Sequence, residues 1–178
     1  MWDRTTMDDI ALFRRASAEF ERRLAAITPD QLLQPTPCEE WTVCDLMSHV
    51  VGESIMSVCL FHGADAESAM VGLDGDIFGD DASDATERIV HHPAMDMPGA
   101  QLLGFRIGGL TLHARDLAHA SGGDETLDSE LVEAVWAQLS PMAPFIAETG
   151  VFGVGPSGEV GEGAPLQVRL VDLSGRRP

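Results

Sequence analysis

Thr42-Val43-Cys44-Asp45-Leu46-Met47-Ser48-His49-Val50-Val51-Gly52-Glu53-Ser54-Ile55-Met56-Ser57-Val58-Cys59-Leu60-Phe61 reads as one helix. Val43, Leu46, Met47, Val50, Val51, Ile55 and Val58 recur at the three- and four-residue spacing that lines one helical face. Thr42, followed three residues later by Asp45, has the form of a capping box, in which each side chain satisfies a backbone N–H left unpaired at a helix start. His49 and Glu53 stand four residues apart, so both lie on one side of this helix.

Upstream, Ile10, Phe13, Ser17, Phe20, Leu24 and Ile27 mark an amphipathic helix from about Asp8 to Ile27, with Arg14, Arg15, Glu21, Arg22 and Arg23 mostly off its stripe. The stretch Gln34-Pro35-Thr36-Pro37-Cys38 is expected to be extended, because proline pushes the preceding residue out of the α region. Downstream, Gly63 to Pro98 loses any sustained period and is expected to be a crossover, with Arg88 to His92 its only strand-like fragment. Leu103, Ile107, Leu110, Ala114 and Leu117 predict a third helix from Gly99 to about Ser121, stopped by Gly122-Gly123. Thr126 or Asp128 can cap a fourth, carrying Leu131, Val135 and Leu139, with Pro141 and Pro144 disturbing its last turns. The expected fold class is therefore all-α: a four-helix bundle over residues 1–149 with a long crossover between helices two and three. Residues 150–178 form a Gly/Pro-rich tail packed on or trailing from it, with little function expected there.

The 178 residues fit one domain, and 44% apolar content supplies one core. Acidic residues outnumber basic ones 29 to 11, for a formal charge of −18, so nucleic acid and anionic membranes would be repelled. No uncharged apolar stretch approaches the roughly 20 residues of a membrane span, and Met1-Trp2-Asp3-Arg4 opens no secretion signal; a cytoplasmic location is expected. Cys38, Cys44 and Cys59 form no Cys-x-x-Cys pair and are expected to be reduced, with Cys44 and Cys59 serving as small buried hydrophobes and none as a nucleophile.

The chemistry-bearing residues converge on helices two and three. His113 and Asp116 are three residues apart and therefore neighbours, so packing the two helices together can gather His49, Glu53, His113 and Asp116. Imidazole and carboxylate suit a divalent ion such as Zn or Ni; equally, a core histidine beside solvated or arginine-paired carboxylates gives the same sequence pattern. His62, His91 and His92 are expected to be exposed, and His119 to point elsewhere. Gly108-Gly109 costs roughly 1 kcal/mol per glycine against alanine, so Gly109, one turn before His113, leaves room either for close packing or for a ligand. Arg106, a further turn back, is a candidate for holding an anionic ligand, or a plain surface arginine.

The string Pro35-Thr36-Pro37-Cys38-Glu39-Glu40-Trp41-Thr42-Val43-Cys44-Asp45-Leu46, with His49-Val50-Val51-Gly52 after it, resembles the signature of DinB-like, mycothiol-dependent maleylpyruvate isomerase proteins. Met97-Pro98-Gly99-Ala100, His113-Ala114-Arg115-Asp116-Leu117-Ala118, Ser121-Gly122 and Gly175-Arg176-Arg177-Pro178 extend the resemblance over most of the chain. It implies a DinB-like bundle of up-down-down-up topology, a divalent metal held by three residues, and mycothiol or a similar thiol acting on an electrophilic small molecule. Two family ligand positions fall on His49 and His113, and the third on Gly109, which has no side chain to coordinate with. Arg115 replaces the motif's usual tryptophan, and the crossover between Gly79 and Glu87 is shorter than in typical members.

Three functions follow. The first is a metal-dependent thiol transferase or isomerase, in which Glu53 or Asp116 completes the ligand set with His49 and His113, while Arg106 or Arg115 orients a carboxylate. The second is a metal-free descendant, an isomerase, cyclase or small-molecule-binding protein with His49 and His113 as acid–base groups. The third is a structural bundle with the space beside Gly109 filled from another helix. The expected partner is a small-molecule substrate, with a homodimer left open.

Overall fold

The computed structural model describes residues 6–38, 40–64, 89–93, 95–149, 152 and 155–177. The chain is mostly helical, in the order α1 (Thr6–Leu24), α2 (Val43–Phe61), a two-stranded sheet of β1 (Ile89–His92) and β2 (Met95–Pro98), α3 (Gly99–Ser121), α4 (Ser129–Leu139), α5 (Ala143–Thr149) and α6 (Leu166–Leu173). Residues 89–92 of the strand-like fragment find an antiparallel partner, with Val90 opposite Met97 and His91 opposite Asp96, so the fold is not purely α. The shortened crossover expected between Gly79 and Glu87 lies outside the described residues.

Helix α3 is the hub. It packs against α1, α2 and α4, and its residues from Leu110 to Ala118 are buried without a break, as in a helix enclosed on all sides. Enclosure takes in polar residues as well: Arg106, Thr111, His113, Arg115 and Asp116 are all buried. Groups so placed must find partners inside the protein, since buried polar atoms without one are costly.

Start and stop signals act where the sequence puts them. Thr42 accepts a hydrogen bond from the Asp45 backbone and Asp45 reaches back to the Thr42 N–H, closing the capping box of α2. Asp128 caps α4 by accepting from the Glu130 and Leu131 N–H groups. Gly122 takes φ 70° after α3, and the bonds from Gly122 N to His119 O and Gly123 N to Ala118 O form a Schellman turn.

Two expectations need correction. Helix α1 ends at Leu24, and its inward face carries Ile10, Leu12, Ala16, Phe20 and also Arg23, whose guanidinium bonds the Thr126 carbonyl and Glu19. One nitrogen, Nη2, carries both contacts, and burial lowers the Arg23 guanidinium's hold on its proton against the pull of Glu19. Cys44, expected to be buried, is exposed, because it stands in the first turn of α2 between inward Val43 and outward Asp45, whereas Cys59 packs half-buried on the core. Helix α2 as a whole is long and apolar enough to cross a membrane by length and composition, yet Val43, Leu46, Val50 and Leu60 are spent on the protein's own core.

After α5, residues 155–177 fold onto the rest. Helix α6 packs on α4, and Leu170 and Leu173 belong to the common core. Arg169 stacks its guanidinium over Trp136, 4.4 Å from the ring centroid. Gly175 then turns the chain at φ 75°, with Gly175 N bonded to Asp172 O and Arg176 N to Val171 O, a second Schellman turn. This turn sends Arg176 back into the interior.

Candidate functional site

Two loops and two helices build the site. The residues between Gln34 and Val43 close on themselves: Val43 N donates to Gln34 O, Thr36 N and Oγ1 both donate to the Trp41 carbonyl, and Cys38 N donates to Thr36 Oγ1. Glu40 turns the corner in the left-handed region at φ 64°. Folding this way brings Cys38 and Trp41 against α2 and α3.

On that scaffold Trp41, His49 and His113 form one aromatic group. The Trp41 and His49 ring centroids are 4.6 Å apart, His49 meets His113 edge to face at 5.3 Å, and Trp41 stacks near His113 at 6.2 Å. Helix α2 thus supplies one imidazole and α3 the other, as the spacing of the two helices predicts.

Beneath the rings lies a polar cluster of Cys38, His113, Asp116 and Arg176. Asp116 is fully buried, accepts Arg176 Nε on Oδ1 at 2.8 Å and Arg176 Nη2 on Oδ2 at 2.7 Å, and stands 3.0 Å from His113 Nδ1. Burial works to raise the Asp116 carboxyl, but the Arg176 charge and the hydrogen bonds from His113 and Arg176 outweigh it and hold the group well below the usual carboxylate range. An ionised Asp116 can only accept, so His113 Nδ1 carries the proton and donates to it. In the neutral imidazole this places the lone pair on Nε2, which has no hydrogen-bond partner among the described residues.

Cys38 contributes a neutral thiol. Burial first, and the Asp116 charge second, push it up to about 12 against the pull of Arg176. Its Sγ lies 3.3 Å from Asp116 Oδ2, to which it donates. Nothing here makes it a nucleophile.

A second carboxylate–guanidinium pair flanks His49. Glu53 is paired with buried Arg106, which also donates to Ser54 Oγ at 3.1 Å, and Glu53 Oε1 stands 3.4 Å from His49 Nε2. A Cβ added at Gly109 would lie 3.6 Å from Glu53 Oε2 and 3.9 Å from Arg106 Nη1, so this pair fills the space that the missing side chain leaves. Burial lowers the affinity of His49 for a proton, Glu53 opposes that, and His113, Arg106 and Arg176 reinforce it. His49 is therefore predominantly neutral at pH 7.

Family comparison gives these residues a context. Residues 13–103 match the mycothiol maleylpyruvate isomerase N-terminal domain. The chain belongs to this family. The matched stretch carries Cys38, Trp41, His49 and Glu53 and stops short of His113. Two uncharacterized proteins of Mycobacterium tuberculosis, Rv0738 of strain H37Rv and MT0763 of strain CDC 1551, are each 34% identical over 150 residues, covering 78% of this chain and 81% of theirs. No solved structure matches the chain.

Of the residues singled out by sequence, His49, Glu53, His113, Asp116, Gly109 and Arg106 share this neighbourhood. Arg115 is committed elsewhere, paired with Glu125 at 2.6 Å and donating to the Arg177 carbonyl at 3.3 Å. His119 also joins Glu125 and His91 joins Asp96, both away from the rings. His62 is exposed, whereas His92, expected to be exposed, is half-buried within reach of the Glu53 charge. Sequence reasoning passed over Cys38, Trp41 and Arg176. The first two lie inside the signature string, and Arg176 follows the glycine that ends the last helix; each carried a signal only as part of the family pattern.

The cluster has the donor types of a metal site, with Cys38, His113 and Asp116 ligand atoms all within 4.8 Å of one another. Arg176 Nη2 stands among them, however, 3.3 Å from Cys38 Sγ, 3.4 Å from His113 Nδ1 and 2.7 Å from Asp116 Oδ2. A divalent ion would meet a guanidinium there. The alternative set of His49, His113 and Glu53 fares no better, since the Glu53 carboxylate is bound to Arg106. As arranged, neither set fits a metal.

Proposed function

We propose that this family member is a small-molecule isomerase or cyclase that works without a metal, using His49 and His113 as its acid–base pair. The single observation behind this reading is the orientation of His113 by ionised Asp116, which leaves Nε2 as the acceptor beside a neutral His49 ring. General acid–base chemistry asks for an imidazole in the right tautomer near its ordinary titration range, and contributes typically ~10²–10⁴ in rate.

The substrate class is a neutral, enolisable carbonyl compound with a flat or unsaturated part. Trp41 and the two imidazoles offer flat faces, while both nearby guanidinia, Arg106 and Arg176, already have carboxylate partners and hold no charge in reserve for an anion. His113 Nε2 takes the proton next to the carbonyl and the same ring, as imidazolium, returns it at a new position while the His49 N–H polarises the carbonyl oxygen, so both rings end as they began. The metal-dependent thiol reaction that the family description suggests lacks a ligand set here, for the reasons given by the two arginines.

The packing of α1, α2 and α4 around α3, with the long connection before α3, supports a DinB-like four-helix bundle as the framework. Three free cysteines fit a reducing, cytoplasmic setting.

The test is proton exchange. Chelator-treated protein is incubated in deuterium oxide with a panel of β-dicarbonyl and α,β-unsaturated ketones, and deuterium uptake at the acidic carbon is followed by NMR. Exchange on at least one compound, lost by about a hundredfold or more in His49→Gln and in His113→Gln, supports the assignment. Turnover that appears only when Zn²⁺ or Ni²⁺ and a thiol are added overturns it.

A further inference from the structure

We infer that Arg176 is the resident cation of the Cys38–His113–Asp116 cluster, so that a divalent ion and the segment carrying Arg176 are mutually exclusive occupants of one place. One guanidinium nitrogen, Nη2, lies within 2.7–3.4 Å of all three candidate ligand atoms. Nε of the same group takes the remaining Asp116 oxygen, and Nη1 is spent on the Ser174 carbonyl at 3.0 Å. The guanidinium is therefore used up, which distinguishes it from an arginine waiting for a ligand.

The physical reason is charge and direction. A buried carboxylate needs a cation, and the planar fork of arginine satisfies both of its oxygens at once. In metal sites of this donor type the ion supplies that charge and orients the imidazole; here Arg176 neutralises Asp116, and Asp116 orients His113. The delivering device is specific. Gly175 adopts φ 75°, and a Cβ on it would lie 2.1 Å from the Phe152 carbonyl oxygen, so only glycine permits the turn that aims Arg176 inward.

Entry of a metal would require four coupled events: withdrawal of the guanidinium, loss of one proton from the Cys38 thiol to the solvent, a shift of the His113 proton from Nδ1 to Nε2 so that Nδ1 can coordinate, and replacement of the Arg176 bonds by coordination. Removing the guanidinium should accordingly create a metal site of one sulfur, one nitrogen and one oxygen ligand, with the fourth position left to water.

This inference rests on the metal-free reading of the centre, but it is measured by ion binding and not by turnover, so its failure can be told apart from failure of the acid–base assignment. Wild-type protein, Arg176→Gln, and Arg176→Gln with Cys38→Ser are titrated with Co²⁺ and followed through the near-ultraviolet sulfur-to-cobalt band. The wild type is expected to show no band at tenfold excess. Arg176→Gln is expected to saturate at one equivalent, binding at least tenfold more tightly than wild type, and the added Cys38→Ser change to remove the band. Zn²⁺ should raise the melting temperature of Arg176→Gln by several degrees and leave that of the wild type in place. A wild-type sulfur-to-cobalt band, or a folded Arg176→Gln that binds no better, overturns the inference. If Arg176→Gln does not fold, the wild type decides: its Arg176 Nε–H resonance, held by Asp116, is expected to persist unshifted with excess Zn²⁺, and its displacement refutes the assignment.

Discussion

Both carboxylate oxygens of Asp116 are bonded by one guanidinium, that of Arg176, although 60 residues separate the two in sequence. The pair is fully enclosed, and such pairs are strongly asymmetric: the intact couple is close to break-even, while removing one partner strands a charge. Asp116→Ala is expected to destabilise the protein by about 3–5 kcal/mol, read from urea unfolding at pH 7.

The same pair sets a dependence on acid. The folded Asp116 carboxyl titrates below its unfolded value of about 3.9, so its contribution to stability is fully present above that value. It fades as pH falls below about 4 and is gone once pH passes the folded value, because only then is the native carboxylate protonated. Asp116→Asn should be less stable at pH 7 and lose less on acidification; parallel curves for wild type and variant from pH 7 to the acid limit would contradict the direction assigned to Asp116.

Gly175→Ala is expected to lower stability by about 2 kcal/mol or more, since the left-handed turn resists a Cβ and the atom it would strike is backbone, which cannot swing aside. Calorimetry measures the loss. Under the inference above, this variant should also gain Co²⁺ binding, because it releases Arg176 without altering it.

Gly109→Ala goes the other way. A Cβ there would make ordinary contacts at 3.6 Å and 3.9 Å with the Glu53–Arg106 pair, so the helix gains propensity without a clash. A rise in stability of about 0.5–1 kcal/mol is expected in chemical denaturation.

His49 is expected to titrate below the ordinary histidine value of 6.5, as followed by NMR of its ring protons. Burial disfavours its charged form and Glu53 partly restores it, so Glu53→Gln should move the midpoint lower still. A midpoint that rises in the variant would remove Glu53 as a neighbour of the imidazole.

Much of the framework was legible in order. The capping box at Thr42 and Asp45, the Asp128 cap and the Gly122 stop are local devices, written in residues that touch across one turn, and α2, α3 and α4 begin or end on them. His49 and His113 could likewise be placed on their helices, because helical period fixes which residues share a face, while Gly109 as the gap in the ligand pattern came only from the family resemblance. The inward turn of Arg23 was not legible, since a charged residue next to others of its kind looks like a solvated face until a distant carbonyl, that of Thr126, appears opposite it.

By itself, the sequence determined helices α1 to α4, the caps of α2 and α4, the family and the two imidazoles, all of which depend on short-range spacing or on a contiguous signature, but not α5 or α6. Only the tertiary structure decided what the charged groups of the site do. Which arginine meets which carboxylate, Arg106 with Glu53 and Arg176 with Asp116, is fixed by the packing of α2 on α3 and by the turn at Gly175. Electrostatic partnership depends on distance in space, and a charge pattern along a chain carries no measure of that distance.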